Sequence, residues 1–228
     1  MSDAPQIKLT YFNIQGVGEK VRLTLHLGGI PFEDVRVAFP DWPALKPTTP
    51  YGQLPFMEIN GKPPMAQSHA MLRYAGRLAA EKGVPLYATD IEEQLVIEEA
   101  LGFVGDIQRE WMPMVYLGMK PENYGHEKGT DATAAMVQRL RSDFAANPEK
   151  LPSLMVKLTT KLKGKSFLCG EQVTIADCDL VPTLNRITSG GVDHVPVTCL
   201  DPFPEVKSYV ARFMALPAVA AYYEAQKK

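Results

Sequence analysis

The segment Tyr51–Ala70, YGQLPFMEINGKPPMAQSHA, constrains the fold more than any other part of the chain. Pro55 has no amide hydrogen for a ladder, so the strand Phe56–Ile59 must begin at it or run along an edge. Asn60-Gly61 then predicts a type I′ hairpin turn. A short second strand returns through Pro63 to Ala66, and Gln67-Ser68 stands at the N-terminus of a helix carrying Met71, Leu72 and Leu78. Donor groups therefore gather at one strand end and one helix start.

Such a place suits a small anion, because the first amides of a helix have no partners within it and carry the positive end of its dipole. Ser68 is the candidate holder of a carboxylate. Were the Leu54-Pro55 bond cis, the amide and carbonyl of Leu54 would face outward and could pair with an extended peptide, as in strand addition. The plainer alternative is that Pro55 caps an edge strand and Gln67-Ser68 caps a helix.

Upstream, Ile7, Leu9 and Tyr11 alternate with Lys8 and Thr10, the pattern of a half-buried strand. Asn13–Gly18 is a loop, Glu19–Leu27 a largely buried helix stopped by Gly28-Gly29, and Phe32–Val37 a second strand. Pro40–Pro50 contains four prolines and predicts irregular structure or one short helix carrying Trp42 and Lys46. Strand, helix, strand, loop, strand, strand, helix is an α/β unit, whose parallel strands need crossover connections. From Gly83 the composition changes. Gly83–Asp90 reads as a linker, and helical periodicity then dominates over Ile91–Tyr116, Asp131–Ala146, Pro152–Leu162, Thr174–Thr188, Phe203–Met214 and Ala218–Ala225. Pro113 should kink the first of these, and Lys120–Gly129 should be an exposed loop. Thr174 is an N-cap answered by Asp177, with Val173 placed to staple against Cys178.

The 228 residues suffice for one large or two small domains. A net charge of −2 carries no footprint for nucleic acid or a membrane surface. No run of about 18 apolar residues offers a membrane span. The start MSDAPQ lacks an apolar signal core, and Cys169, Cys178 and Cys199 fit neither a disulfide framework nor a zinc pattern, so a cytosolic location is expected.

Several chemistries fail on their residues. Gly16-Val17-Gly18 is not followed by the lysine and hydroxyl residue of a phosphate loop. His26, His69, His126 and His194 share no ligand spacing, so no metal is implied. A GxSxG elbow is absent. Tyr11 is different: at a strand end beside a glycine loop, on the same sheet as Pro55, it either packs or points its hydroxyl into a cleft.

KLTYFN at Lys8–Asn13, DWP at Asp41–Pro43, YGQLP at Tyr51–Pro55 and AQS at Ala66–Ser68 resemble the tyrosine-type cytosolic glutathione transferases. In the second half, FLCGEQVTIAD at Phe167–Asp177 and FPEVKSYVARFMALPAVAAY are similar to that family's capping segment and last helices. The first strand is sigma-like, whereas YGQLP and the C-terminal half are pi-like. The resemblance implies a thioredoxin-like α/β domain over residues 1–83, a linker over 84–90, and an all-α domain over 91–228. It also implies a homodimer with two active sites. Tyr11 would be the catalytic hydroxyl. Trp42 and Lys46 would hold the glycyl end of glutathione, Gln53, Leu54 and Pro55 would present its cysteinyl backbone contacts, and Gln67 and Ser68 would take the γ-glutamyl end. Asp106 would reach the neighbouring subunit's ligand, and Phe12, Val17 and Trp111 would wall the acceptor pocket. Glutathione is then a co-substrate, with no cofactor required. Many relatives carry an arginine where this chain has Val17, which removes a cation from near the sulfur.

The implied activity is attack of the glutathione thiolate on small apolar electrophiles. The same framework suits a glutathione-dependent isomerase, since fold and thiol site do not fix the second substrate. A ligand carrier or crystallin-like structural protein would keep the fold without turnover; retention of Tyr11, Trp42, Lys46, Gln53 and Gln67 argues against it.

Overall fold

A computed structural model of the chain describes residues 5–227. Its sheet is built around β1 (Ile7–Phe12), which pairs in parallel with β2 (Glu33–Val37) and antiparallel with β3 (Phe56–Ile59). β3 pairs antiparallel with β4 (Met65–Ala66), giving the order β2-β1-β3-β4. Helix α1 (Glu19–Leu27) supplies the crossover between the two parallel strands. The hairpin forms at Asn60 and Gly61, whose φ angles of 54° and 68° are both positive, as a type I′ turn requires. The return strand is shorter than expected. Pro63 and Pro64 cannot donate to the ladder, so pairing begins only at Met65.

The proline-rich segment winds through short 3-10 turns on either side of a single-turn helix, α2 (Trp42–Leu45), with Lys46 opening the turn that follows. Helix α3 (Ser68–Glu81) buries Met71, Leu72, Ala75 and Ala79 along one stripe. Beyond it the structure is helical: α4 (Ile91–Met119), α5 (Asp131–Ala146), α6 (Leu151–Leu162), α7 (Ile175–Thr188), α8 (Pro204–Met214) and α9 (Pro217–Ala225). α4 continues through Pro113 to Met119, and the loop after it contains a 3-10 turn at Pro121–Tyr124. Among the described residues no helix is long and apolar enough to cross a membrane.

Two polar clusters tie the helical half to the sheet half, and neither was legible in the periodicity of α1. Val21, Leu23 and Leu25 of that helix are buried, but so are Glu19, Lys20 and Arg22. Lys20 donates to Asp179 of α7 at 2.6 Å, His69 Nε2 lies 2.9 Å from the other oxygen of that carboxylate, and Gln108 of α4 donates to it at 2.8 Å. Burial works to raise the pKa of Asp179, but His69 and Lys20 outweigh it and hold the carboxyl below its ordinary value. Glu19 instead faces the C-terminal helix, accepting a hydrogen bond from the Tyr222 hydroxyl at 3.1 Å, and burial pushes its pKa up. Arg36 of β2 donates to Tyr222 and to Gln226, which fastens α9 across the sheet edge.

Candidate functional site

The sheet register sets out the site. Thr10 pairs with Phe56 and Phe56 with Ala66, both antiparallel, so continuing each ladder by one residue brings Tyr11, Pro55 and Gln67 to the same end of the sheet. Trp42 follows the end of β2, which runs alongside Tyr11 through the pair Tyr11 and Arg36.

Tyr11 is only 6% exposed. Its phenol oxygen accepts a hydrogen bond from the Val17 amide at 3.2 Å. That bond occupies a lone pair and leaves the hydroxyl hydrogen free to donate to another acceptor. Gly16, at φ +44°, and Gly18 are what allow the loop to close on the ring. A Cβ on Gly16 would stand 2.5 Å from the phenol oxygen, and one on Gly18 would stand 2.5 Å from Cδ1. The glycines that make a poor phosphate loop thus have a steric role around Tyr11.

Arg22 lies 5.5 Å from the Tyr11 ring centroid. Although fully buried, it is well answered: it donates to Asp34 at 3.0 Å, to the Ile14 carbonyl at 2.8 Å, to the Phe12 carbonyl at 3.3 Å and to Glu19 at 3.3 Å. A buried guanidinium is tolerated only with such a full set of acceptors, and here three of them hold the ends of the Tyr11 loop and the neighbouring strand. Burial raises the pKa of Tyr11, while the Val17 amide and the Arg22 charge pull it down, leaving the phenol protonated at neutral pH. A protonated phenol is able to donate a hydrogen bond to an anion and is not a base. The charge of Tyr116 raises the Tyr11 pKa further and that of Arg186 lowers it. These two residues come from α4 and α7, and no sequence pattern connects them with Tyr11.

Phe12 extends the aromatic surface. Its ring is 5.6 Å from Tyr11 edge to face, 5.5 Å from Trp42 and stacked on Phe39 at 4.8 Å. The Lys46 stem lies near Gly52, its Cε 3.5 Å from where a Cβ on that glycine would be. The Leu54-Pro55 bond is cis, and among the described residues the Leu54 amide and carbonyl enter no hydrogen bond. Gln67 has φ 79°, a conformation rare for a residue with a side chain, and Ser68 is the first residue of α3. Unpartnered strand-end groups and a helix start thus lie at the same end of the sheet as Tyr11.

Two of the expected residues stand apart. Trp111 does not form an open wall: it is 4% exposed and packs against Phe144 at 5.5 Å, which places it in the helical core between α4 and α5. The period of α4 could not distinguish the core stripe from a pocket stripe. Asp106 is exposed on α4 and paired with Arg109 at 2.9 Å, without a contact to the Tyr11 region of its own chain. Arg22 is the residue that reading the sequence missed. Its signal was a run of charges, Glu19, Lys20 and Arg22, in a helix that also carries Val21, Leu23 and Leu25.

Comparison with known proteins gives the family of the chain. Residues 17–78 match the model of the glutathione S-transferase N-terminal domain, and residues 132–226 that of the glutathione S-transferase C-terminal domain. The chain is 34% identical to glutathione S-transferase 1 of Ascaris suum over 98% of each chain. It is 31% identical to the hematopoietic prostaglandin D synthase of Gallus gallus, again over 98% of each. Among solved structures, prostaglandin synthase D of Nilaparvata lugens superposes with a TM-score of 0.76 at 26% identity, covering 96% of this chain and 97% of that one. A thioredoxin-like sheet domain followed by an all-helical domain, with full-length similarity above 30%, establishes that the chain belongs to the glutathione S-transferase family.

Proposed function

We propose that this protein is a tyrosine-type transferase of mixed sigma and pi character that joins the glutathione thiolate to small apolar electrophiles. The observation that carries this reading is the Tyr11 hydroxyl, backed by the Val17 amide and aligned with Pro55 and Gln67. In this reading residues 1–83 bind glutathione, 84–90 link, and 91–228 supply acceptor and dimer contacts. Trp42 and Lys46 hold the glycyl carboxylate, Gln53 and Leu54 pair with the cysteinyl backbone, and Gln67 and Ser68 take the γ-glutamyl end. Phe12 and Val17 face the acceptor. Turnover of reduced glutathione with an aryl halide tests it; binding of glutathione without turnover would instead mark a carrier.

The prostaglandin D synthase relatives favour one second reading, a glutathione-dependent isomerase. Glutathione consumption separates the two. Conjugation removes one thiol for each product formed, whereas isomerisation returns it.

A cytosolic homodimer completes the proposal. Tyr51 is 79% exposed at φ 55°, and Ile91, Leu95 and Val96 leave apolar surface open on the first turns of α4. An aromatic anchor filling a partner's pocket contributes about 2 to 4 kcal/mol. Sedimentation of Tyr51→Ala is therefore expected to show a dimer dissociation constant raised by roughly thirtyfold or more; an unchanged constant would remove the wedge role.

Asp106 belongs to the same proposal, since its exposed carboxylate is available to the ammonium group of a ligand bound to the other subunit. A charged hydrogen bond of that kind contributes about 1.5 to 3 kcal/mol. Calorimetry of Asp106→Asn should show glutathione affinity lower by roughly tenfold. Equal affinities would leave Asp106 as a surface partner of Arg109 alone.

A further inference from the structure

His69 follows Ser68 in the first turn of α3, and its side chain crosses to the helical half of the molecule. Its Nε2 lies 2.9 Å from Asp179 Oδ2 on α7. A carboxylate oxygen only accepts, so Nε2 carries the hydrogen and donates. Lys20 Nζ stands 3.1 Å from the same nitrogen but needs no acceptor there, since it already has Asp179 Oδ1 at 2.6 Å. We propose that His69 is a positioning residue for the γ-glutamyl end of glutathione, holding Gln67 and Ser68 in place from an anchor in the helical domain; this rests on the assignment of those two residues to that end.

The backbone beside His69 carries the inference. Gln67 has φ 79°, and its side chain makes no capping bond to the helix that it precedes. A residue with a side chain keeps such a conformation only where its surroundings over-determine it, and such places concentrate at active sites and ligand clamps. Local bonds supply part of the constraint: the Gln67 carbonyl accepts from the Ala70 and Met71 amides at 3.0 and 3.1 Å. The remainder converges on residue 69. Its carbonyl accepts from Arg73 Nη1 at 3.2 Å, and the Arg73 fork grips Glu98 of α4 through Nε at 2.7 Å and Nη2 at 2.5 Å. Imidazole and carbonyl thus brace one turn against α7 and α4, a single residue past Ser68. Asp179 is a fixed anchor, because its carboxylate is fully buried and Lys20 and Gln108 hold its other oxygen. A hydrogen bond to such an ionised acceptor is of the strong kind. Donors at a helix start act on a ligand carboxylate only at hydrogen-bond distance, so a small shift of this turn weakens the hold on that carboxylate and on no other part of the ligand.

Calorimetry on the full chain with two ligands tests this: S-methylglutathione, and its analogue with the γ-glutamyl α-carboxylate converted to the amide. The parent should prefer the acid by at least tenfold. In His69→Leu, which keeps bulk and removes the donor, that preference should fall to threefold or less, through weaker binding of the acid while the constant for the amide stays unchanged. His69→Asn, whose amide falls short of Asp179, should do the same and carries the test if His69→Leu does not fold. The imidazole is 44% exposed, so its removal lets water reach Asp179, and both variants should keep the circular dichroism spectrum of the parent. His69→Gln, whose amide nitrogen reaches about as far as Nε2, should restore a preference of at least fivefold. A full preference in either folded variant, equal losses for acid and amide as a merely structural tie would give, or no recovery in His69→Gln would each overturn the role of His69. Failure of S-methylglutathione to bind the parent, or equal binding of acid and amide by the parent, would instead count against the glutathione site as assigned to Gln67 and Ser68.

Discussion

Tyr11→Phe is expected to keep the fold and the affinity for glutathione, and to lose turnover by about ten- to a hundredfold at neutral pH. The reason is how much one hydroxyl does for a thiol. A free thiol with a pKa of about 8.5 is roughly 3% ionised at pH 7, and lowering that pKa by about 2 units requires roughly 2.7 kcal/mol of preference for the anion. A hydrogen bond to a charged acceptor supplies about 1.5 to 3 kcal/mol, so the Tyr11 donor is nearly sufficient on its own. The arrangement favours that use. The Val17 amide holds the phenol oxygen as acceptor, the glycines let the loop close on the ring, and burial keeps the phenol protonated. Arg22 sits over the ring, but Asp34 and Glu19 answer its charge, so it does not stand in for a cation beside the sulfur. Ultraviolet titration of bound glutathione should show the thiol pKa rising toward its free value in the variant. If variant and parent share one bound-thiol pKa, Tyr11 is a packing residue and the activating donor lies elsewhere in Asn13–Gly18.

The largest loss of stability is expected from Asp177→Ala. One oxygen of this fully buried carboxylate accepts from the Thr174 amide at 2.7 Å and from its hydroxyl at 3.1 Å. The other accepts from the Leu168 amide at 2.9 Å and from the Tyr209 hydroxyl at 2.8 Å. The side chain thus caps α7, anchors the preceding loop and meets α8 in one place. Burial pushes its pKa up while the Leu168, Thr174 and Tyr209 bonds pull against it. Removing the carboxylate leaves several buried donors without acceptors, each costing about 1 to 3 kcal/mol. A total of roughly 4 kcal/mol would lower Tm by about 8 to 16 °C in a chain of this size. Thermal unfolding followed by circular dichroism checks this, with Tyr209→Phe as the comparison: it removes one donor together with its need and should cost under about 1.5 kcal/mol. A Tm for Asp177→Ala within about 3 °C of the parent would show that the loop and α8 do not depend on the cap.

What the sequence determined by itself was short-range. The Asn60-Gly61 turn, the Thr174 and Asp177 cap, the stop after α1 and the helical periods of the second half depend on residues a few positions apart, where backbone sterics and local hydrogen bonds decide the conformation. The resemblance carried by KLTYFN, YGQLP and AQS extended this to the family and to Tyr11 as the residue of interest. Tertiary structure alone decided which long side chains meet. Lys20 and Asp179, Glu19 and Tyr222, and Arg141 and Asp193 are pairs drawn from different elements. No periodicity encodes them, because whether a buried charge is answered depends on how helices pack in three dimensions. The same holds for Trp111, whose place on α4 suits pocket or core equally until α5 brings Phe144 against it. It holds also for Gly16 and Gly18, whose need for a bare Cα arises only when Tyr11 folds back beneath their loop.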